Sequence, residues 1–224
     1  MKSVIVFDVY GTLLDIASPV ARHNERIGPE AARLNDLWRA KQLEYAWVAT
    51  MTGDYHTFWM LTGRALDHAL AAVGLTGDPD LRQDLLDAYR APAVYPEVPA
   101  ALRQLRADGY HLAIFSNGDP KMLDSALSTC GIVDLFHQVI SVDPARRFKP
   151  DPAAYAHAAA LLPARADAPV FLSSNGWDVA GAGAFGWSPI WVNRKHGRFE
   201  FAKEPPMMIG ALDELPAAMA SLPE

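Results

Sequence analysis

Apolar positions along the chain change period twice. Val4-Ile5-Val6-Phe7 is a continuous apolar run that ends in Asp8, followed by Tyr10-Gly11-Thr12-Leu13-Leu14-Asp15. Such a run predicts a strand buried on both faces, the kind found in parallel sheets. From Pro29 to about Thr50 the spacing becomes three and four, through Leu34, Leu37, Trp38, Lys41, Tyr45 and Val48. This predicts one long amphipathic helix, with Pro29 suited to its first turn and Gly53-Asp54 ending it. Residues 57–72 and 80–89 repeat the helical period, and no strand pattern occurs between Asp15 and Tyr89. Beyond Pro92, Pro96 and Pro99 the two periods alternate. Helices are expected over 98–107, 120–129, 153–162 and 181–185, and strands over 112–115, 138–141, 170–172 and 189–192. Alternation of this kind predicts an α/β fold, a parallel sheet with helices on both faces. The helical stretch reads as an insertion: a core of 1–15 and 95–224, and an all-helical cap of 16–94. The tail past Phe199, with Pro205, Pro206 and Pro216, is expected to wrap the surface.

Charge narrows the partners. The formal net charge of the 224 residues is −6, with no basic stripe, so nucleic acid is not expected. A small anionic substrate would have to be drawn in by local cations. The single cysteine, Cys130, excludes an internal disulfide and suits a reducing compartment. Residues 1–7 are too short for a secretory apolar core, and no stretch approaches the roughly 18 apolar residues of a membrane span. A soluble, cytoplasmic protein is the expectation.

Candidate chemistry enters at the strand ends. Three strands close on polar residues: Asp8, Ser116-Asn117, and Ser173-Ser174-Asn175. Lys149-Pro150 lies in a loop that should line the same edge, and open α/β sheets bind ligands outside the carboxyl ends of their strands. Each residue also has an ordinary role. Asp8 could cap a turn, Thr12 and Ser173 could be turn residues, and Lys149 could be a surface lysine. Arg39 could snorkel to solvent and Asp178 could cap the next helix. Aromatics at helical spacing are usually core.

The motifs resemble those of the haloacid dehalogenase superfamily, with Asp8 and Thr12 in the first, Ser116 in the second, Lys149-Pro150 in the third and Asp178 after the fourth strand. The resemblance implies a Rossmann-like core with an inserted cap. Most of that superfamily are magnesium-dependent phosphatases, which carry a second aspartate two residues after the nucleophile; here that position is Tyr10. A narrower group, the L-2-haloacid dehalogenases, is more similar. It shares Asp8-Val9-Tyr10-Gly11-Thr12, Trp38-Arg39-Ala40-Lys41-Gln42-Leu43-Glu44-Tyr45, Ser116-Asn117-Gly118, Lys149-Pro150-Asp151 with Tyr155, and Ser173-Ser174-Asn175-Gly176-Trp177-Asp178. Ala40 departs from that group, which often has Gln there, at a position expected to border the pocket.

The resemblance implies hydrolysis of short L-2-haloacids to D-2-hydroxy acids, without metal or cofactor. Asp8 would be the nucleophile and Lys149 its cation, with Thr12 and Ser173 orienting it. Arg39 and Asn117 would receive the halide, and Ser116 would bind the substrate carboxylate. Tyr10, Leu43, Phe58 and Trp177 would wall the substrate. Asn175 and Asp178 would position water or hold Lys149, with Tyr155 in reach of that network. Similar enzymes are often homodimers. A phosphatase acting on a small phosphomonoester, or a silent relative binding a small acid, are the competing readings.

Overall fold

A computed structural model describes residues 3–164 and 168–220. The chain opens with β1 (Val4–Phe7) and the short β2 (Leu14–Asp15), then the one-turn helices α1 (Ser18–Ala21) and α2 (Asn24–Ile27). Three longer helices follow, α3 (Ala31–Thr52), α4 (Phe58–Ala72) and α5 (Pro79–Arg90), and the short β3 (Ala93–Val94) closes the helical stretch. Next come α6 (Val98–Ala107), β4 (His111–Ser116), α7 (Pro120–Thr129), β5 (Gln138–Ser141) and α8 (Pro152–Leu161). The chain ends with β6 (Val170–Ser173), α9 (Gly176–Phe185), β7 (Ser188–Val192), β8 (Met207–Ile209) and α10 (Leu215–Ala220).

Six strands form one sheet in the order β5-β4-β1-β6-β7-β8, every neighbouring pair parallel. This is the α/β architecture expected from the alternating pattern. The strand order runs outward in opposite directions from β1, so the crevice of an open α/β sheet falls at its carboxyl end. All of β1 is buried, which is why its sequence is uniformly apolar. Phe7 pairs with Ile114 on one side and Leu172 on the other, so Asp8 and Ser173 leave the sheet side by side. Gly11, at φ 90°, makes the turn after Asp8, and a Cβ there would lie 3.0 Å from Ser174 Oγ; the turn needs glycine on both counts.

The helical block is joined to the sheet through β2 and β3, a two-stranded antiparallel ladder pairing Leu14 with Val94 and Asp15 with Ala93. Within it α3 packs along α4. The buried stripe of α3 differs from the one expected: it is Leu34, Trp38, Gln42, Ala46 and Ala49, while Val48 is exposed. The polar Gln42 occupies the stripe because its amide is fully hydrogen-bonded, as described below. Ala40 is exposed on α3. The tail past Phe199 does not simply wrap the surface. It supplies β8, which pairs with β7, and buries Leu212 and Leu215. The helix expected over 181–185 starts five residues earlier, at Gly176. No helix among the described residues is long and apolar enough to cross a membrane.

Candidate active site

Asp8 follows the last residue of β1, and its backbone N–H donates to Leu172 O at 2.9 Å, extending the β1–β6 ladder. Its carboxylate is 5% exposed. Oδ2 accepts from Thr12 Oγ1 at 3.0 Å, Asn175 Nδ2 at 2.9 Å and Ser173 Oγ at 3.3 Å. Among the described residues Oδ1 accepts only from Lys149 Nζ, at 3.0 Å. A carboxylate oxygen has about two lone pairs, so Oδ2 is saturated and Oδ1 keeps one direction open. Thr12 is itself fixed, since its Oγ1 accepts from Ser174 N at 2.8 Å and its carbonyl accepts from Arg194 Nη2 at 2.8 Å.

Lys149 is completely buried and comes from the loop between β5 and α8, just before a cis peptide to Pro150. Its ammonium donates to Asp8, to Asp178 Oδ2 at 2.6 Å and to Phe115 O at 3.0 Å, satisfying all three N–H groups. Its backbone N–H donates to Asn117 Oδ1 at 2.9 Å, and Trp47 Nε1 from α3 donates to its carbonyl at 3.2 Å. Asp178, in the first turn of α9, also accepts from Tyr155 OH at 2.7 Å. Tyr155 approaches so closely because Gly181 faces it: a Cβ at Gly181 would stand 2.5 Å from the Tyr155 hydroxyl.

Two carboxylates therefore share one ammonium in a dry site. Burial pushes the Asp178 carboxyl up to about 6, against the opposing pull of Lys149. For Lys149, burial acts to lower the pKa, but Asp178 and Asp8 outweigh it and the net direction is up. At neutral pH both groups are charged. Burial raises the Tyr155 phenol well above its ordinary range, with Asp178 adding to it, so Tyr155 serves as a neutral donor. No cluster of three His, Cys, Asp or Glu side chains that could hold a metal occurs among the described residues. The space between Asp8 and Asp178 is filled by the Lys149 ammonium, and Tyr10 brings no further carboxylate. This donor set does not fit a divalent ion.

Arg39 reaches down from α3 to this edge and donates from Nη2 to Asn175 Oδ1 at 3.4 Å and from Nη1 to Gln42 Oε1 at 2.7 Å. Asn117 leaves the end of β4 with its amide oxygen engaged by Lys149, and its Nδ2 makes no hydrogen bond among the described residues. Ser116 is buried and its Oγ accepts from Gly118 N at 3.2 Å. Tyr10 is buried, stacked on Tyr89 with ring centroids 5.5 Å apart, and its hydroxyl has no hydrogen-bond partner among the described residues. Trp177 meets Trp47 edge-on at 5.7 Å. Phe58 is buried against Phe148, next to Lys149. Leu43 is partly buried one turn beyond Arg39. A cleft of about 420 Å³ opens beside Ser174, Asn175 and Trp177, bounded by Ile16 and Asn35 on one side and Arg194 and Phe201 on the other.

The structure thus joins Asp8, Thr12, Lys149, Ser173, Asn175, Asp178, Tyr155 and Arg39 in one hydrogen-bonded network. It does not join Phe58 or Leu43 to it by any polar contact. Four contributors escape the sequence pattern: Trp47, Gln42, Tyr89 and Arg194. Gln42 and Trp47 sit at helical spacing from Arg39 on α3, and that spacing was the signal available for them. Tyr89 and Arg194 carry no local signal.

A family model for haloacid dehalogenase-like hydrolases matches residues 2–186. The chain is 43% identical to (S)-2-haloacid dehalogenase 1 of Pseudomonas sp. (strain CBS-3), over 97% of this chain and 96% of that one. It is 39% identical to (S)-2-haloacid dehalogenase 4A of Burkholderia cepacia, over 88% and 86%. The solved structure of the L-2-haloacid dehalogenase from Xanthobacter autotrophicus with chloropropionic acid covalently bound superposes with a TM-score of 0.88 at 32% identity, covering 100% of both chains. With Asp8 at the end of the strand that stands at the switch point of the sheet, the chain belongs to the haloacid dehalogenase-like hydrolases.

Proposed function

We propose that the chain hydrolyses short-chain L-2-haloacids to D-2-hydroxy acids through an ester on Asp8, without a metal ion. The observation that carries this is the Asp8 carboxylate, dry and held by four donors, with only Oδ1 open. Positioning of this kind converts a bimolecular displacement into an effectively unimolecular one. Asp8 Oδ1 attacks C2 opposite the halogen. The C2–O bond forms as the C2–halogen bond breaks, and the electron pair leaves with the halide. Arg39 and the free amide of Asn117 receive that halide. Ser116 and the backbone N–H groups at the start of α9 take the substrate carboxylate. Tyr10, Leu43, Phe58 and Trp177 form the apolar wall.

Water then attacks the carboxyl carbon of Asp8. Asp178 accepts its proton, Asn175 helps to orient it, and Tyr155 and Lys149 hold Asp178. The C–O bond between the Asp8 carboxyl carbon and the substrate oxygen breaks, Asp178 returns the proton to the leaving alkoxide oxygen, and the regenerated Asp8 carboxyl releases its proton to solvent; C2 inverts once and the product is D. The helical segment 16–94 serves as a cap over the core of 1–15 and 95–224, because it supplies Arg39 through a two-strand hinge. The relatives named (S)-2-haloacid dehalogenase, at 43% and 39% identity, support the substrate class. A cytoplasmic homodimer belongs to the same reading. Cys130 is a free thiol, and the helical block leaves Val48, Met51 and Met60 exposed as apolar surface for a second copy.

Phosphate-ester chemistry is disfavoured at Tyr10, whose buried phenol is held well above its ordinary pKa, first by desolvation, and cannot replace a carboxylic acid. The test is halide release from L- and D-2-chloropropionate with a chelator present. Chloride and D-lactate are expected from the L form alone, and none from Asp8→Asn. Activity that disappears with chelation, or that survives in Asp8→Asn, would falsify the mechanism.

A further inference from the structure

The other cations around the site are neutralised. Lys149 lies against Asp8 and Asp178, and Arg194 lies 2.6 Å from Glu97. Arg39 is different. Its guanidinium rests on two amide oxygens, Gln42 Oε1 and Asn175 Oδ1, and no carboxylate stands within 4.0 Å among the described residues. An arginine held in this way keeps its whole charge for an incoming anion.

Gln42 is 1% exposed, and its orientation is forced. Thr62 Oγ1 donates its only proton to Phe58 O at 2.7 Å, so towards Gln42 it can only accept. The amide nitrogen of Gln42 therefore faces Thr62, at 2.6 Å, and the oxygen faces Arg39. Tyr89 OH lies 2.9 Å from the amide nitrogen and 3.1 Å from the oxygen, closing the network from α5. Trp38 Nε1, donating to Thr62 O at 2.9 Å, locks the same turn of α4. Thr62 from α4 and Tyr89 from α5 fix this amide, and the amide grips Arg39.

We propose that Gln42 is a positioning residue: a neutral acceptor that aims Arg39 at the departing halide without discharging it. This rests on the dehalogenase reading above. The neutrality of Gln42 is what separates this role from packing. A carboxylate at 42 would still accept from Arg39 but cancel its charge, with the adjacent guanidinium holding the carboxyl ionised, and it would lose the bond donated to Thr62 Oγ1. An apolar side chain would leave the charge and lose the aim.

The experiment compares the parent with Gln42→Glu and Gln42→Met. Bromide binding is read as the rise in melting temperature with added bromide, and kcat and KM are read with L-2-chloropropionate. Gln42→Glu is expected to weaken bromide binding about tenfold or more, in line with the loss of a hydrogen bond to a charged group, and to lower kcat with little change in KM. Gln42→Met is expected to weaken bromide binding less than Gln42→Glu does. Bromide binding in Gln42→Glu equal to the parent's, equal losses in the two variants, or no bromide response in the parent overturns the proposal. Bromide-free melts identify any variant that has merely lost its fold. If the parent binds bromide and Gln42→Glu does not, the role of Gln42 stands even where no haloacid is turned over; that second result would overturn only the dehalogenase reading.

Discussion

Lys149 stands between two buried acids, and what happens when it is removed follows from that. In Lys149→Met, Asp8 and Asp178 lose the charge that compensates their burial. Breaking one partner of a buried ion pair costs about 3–5 kcal/mol, so a loss of that order in urea denaturation is expected, together with loss of turnover. Asp178 sets a pH dependence. Its carboxyl takes a proton as the pH falls through about 6, and kcat should fall with it, because a protonated Asp178 accepts no proton from water. Stability has the opposite sign. A folded pKa above the ordinary 3.8 means that the folded state binds this proton more tightly than the unfolded one. The resulting stabilisation is full below the ordinary aspartate range and is lost as the pH rises through about 6. Thermal melts across pH 4 to 6 should lose this slope in Asp178→Asn. The gathering of these residues at one sheet edge was legible in the sequence, because Asp8, Ser173 and Asn175 sit at strand ends; the roles expected of them came from the family resemblance. The contact between Gln42 and Tyr89 was not legible, since the two lie 47 positions apart and meet only in the folded chain.

At the scale of elements, Asp119 links two helices that come from distant parts of the chain. One carboxylate oxygen accepts from Met122 N at 3.2 Å, capping α7, and the other accepts from Trp59 N at 3.1 Å in the first turn of α4. Helix starts leave such N–H groups without partners. Asp119→Ala should cost about 1–2 kcal/mol in urea denaturation, and Asp119→Asn should recover part of that loss. The long helices and the sheet strands were readable because their apolar period is sustained. The two-residue strands β2 and β3 were not, because two residues carry no period. β8 escaped for a related reason: it is three residues long, on the sheet edge, with Met208 exposed. The early start of α9 was hidden by Asp178, a charged residue that is fully buried and so breaks the apolar pattern of its own helix.

For the molecule as a whole, the sign of the charge matters. A chain of net charge −6 repels an anionic substrate at long range, and Arg39 offsets this only close to the site. Screening should therefore raise kcat/KM for a 2-haloacid modestly as ionic strength goes from about 0.01 to 0.15 M. Sulfate salts suit the measurement, because no halide then competes. The β2–β3 ladder carries a different consequence. It brings the two ends of the helical block together as neighbours, a strand spacing of about 4.8 Å apart, while the sheet register on β1 depends on β4 and β6 alone. The block is thus a cassette with a standard socket. A foreign helical block whose ends lie equally close could be spliced between residues 15 and 93, leaving Asp8 and Asp178 in position, provided that it replaces the Trp47 and Thr50 contacts to the Lys149 loop.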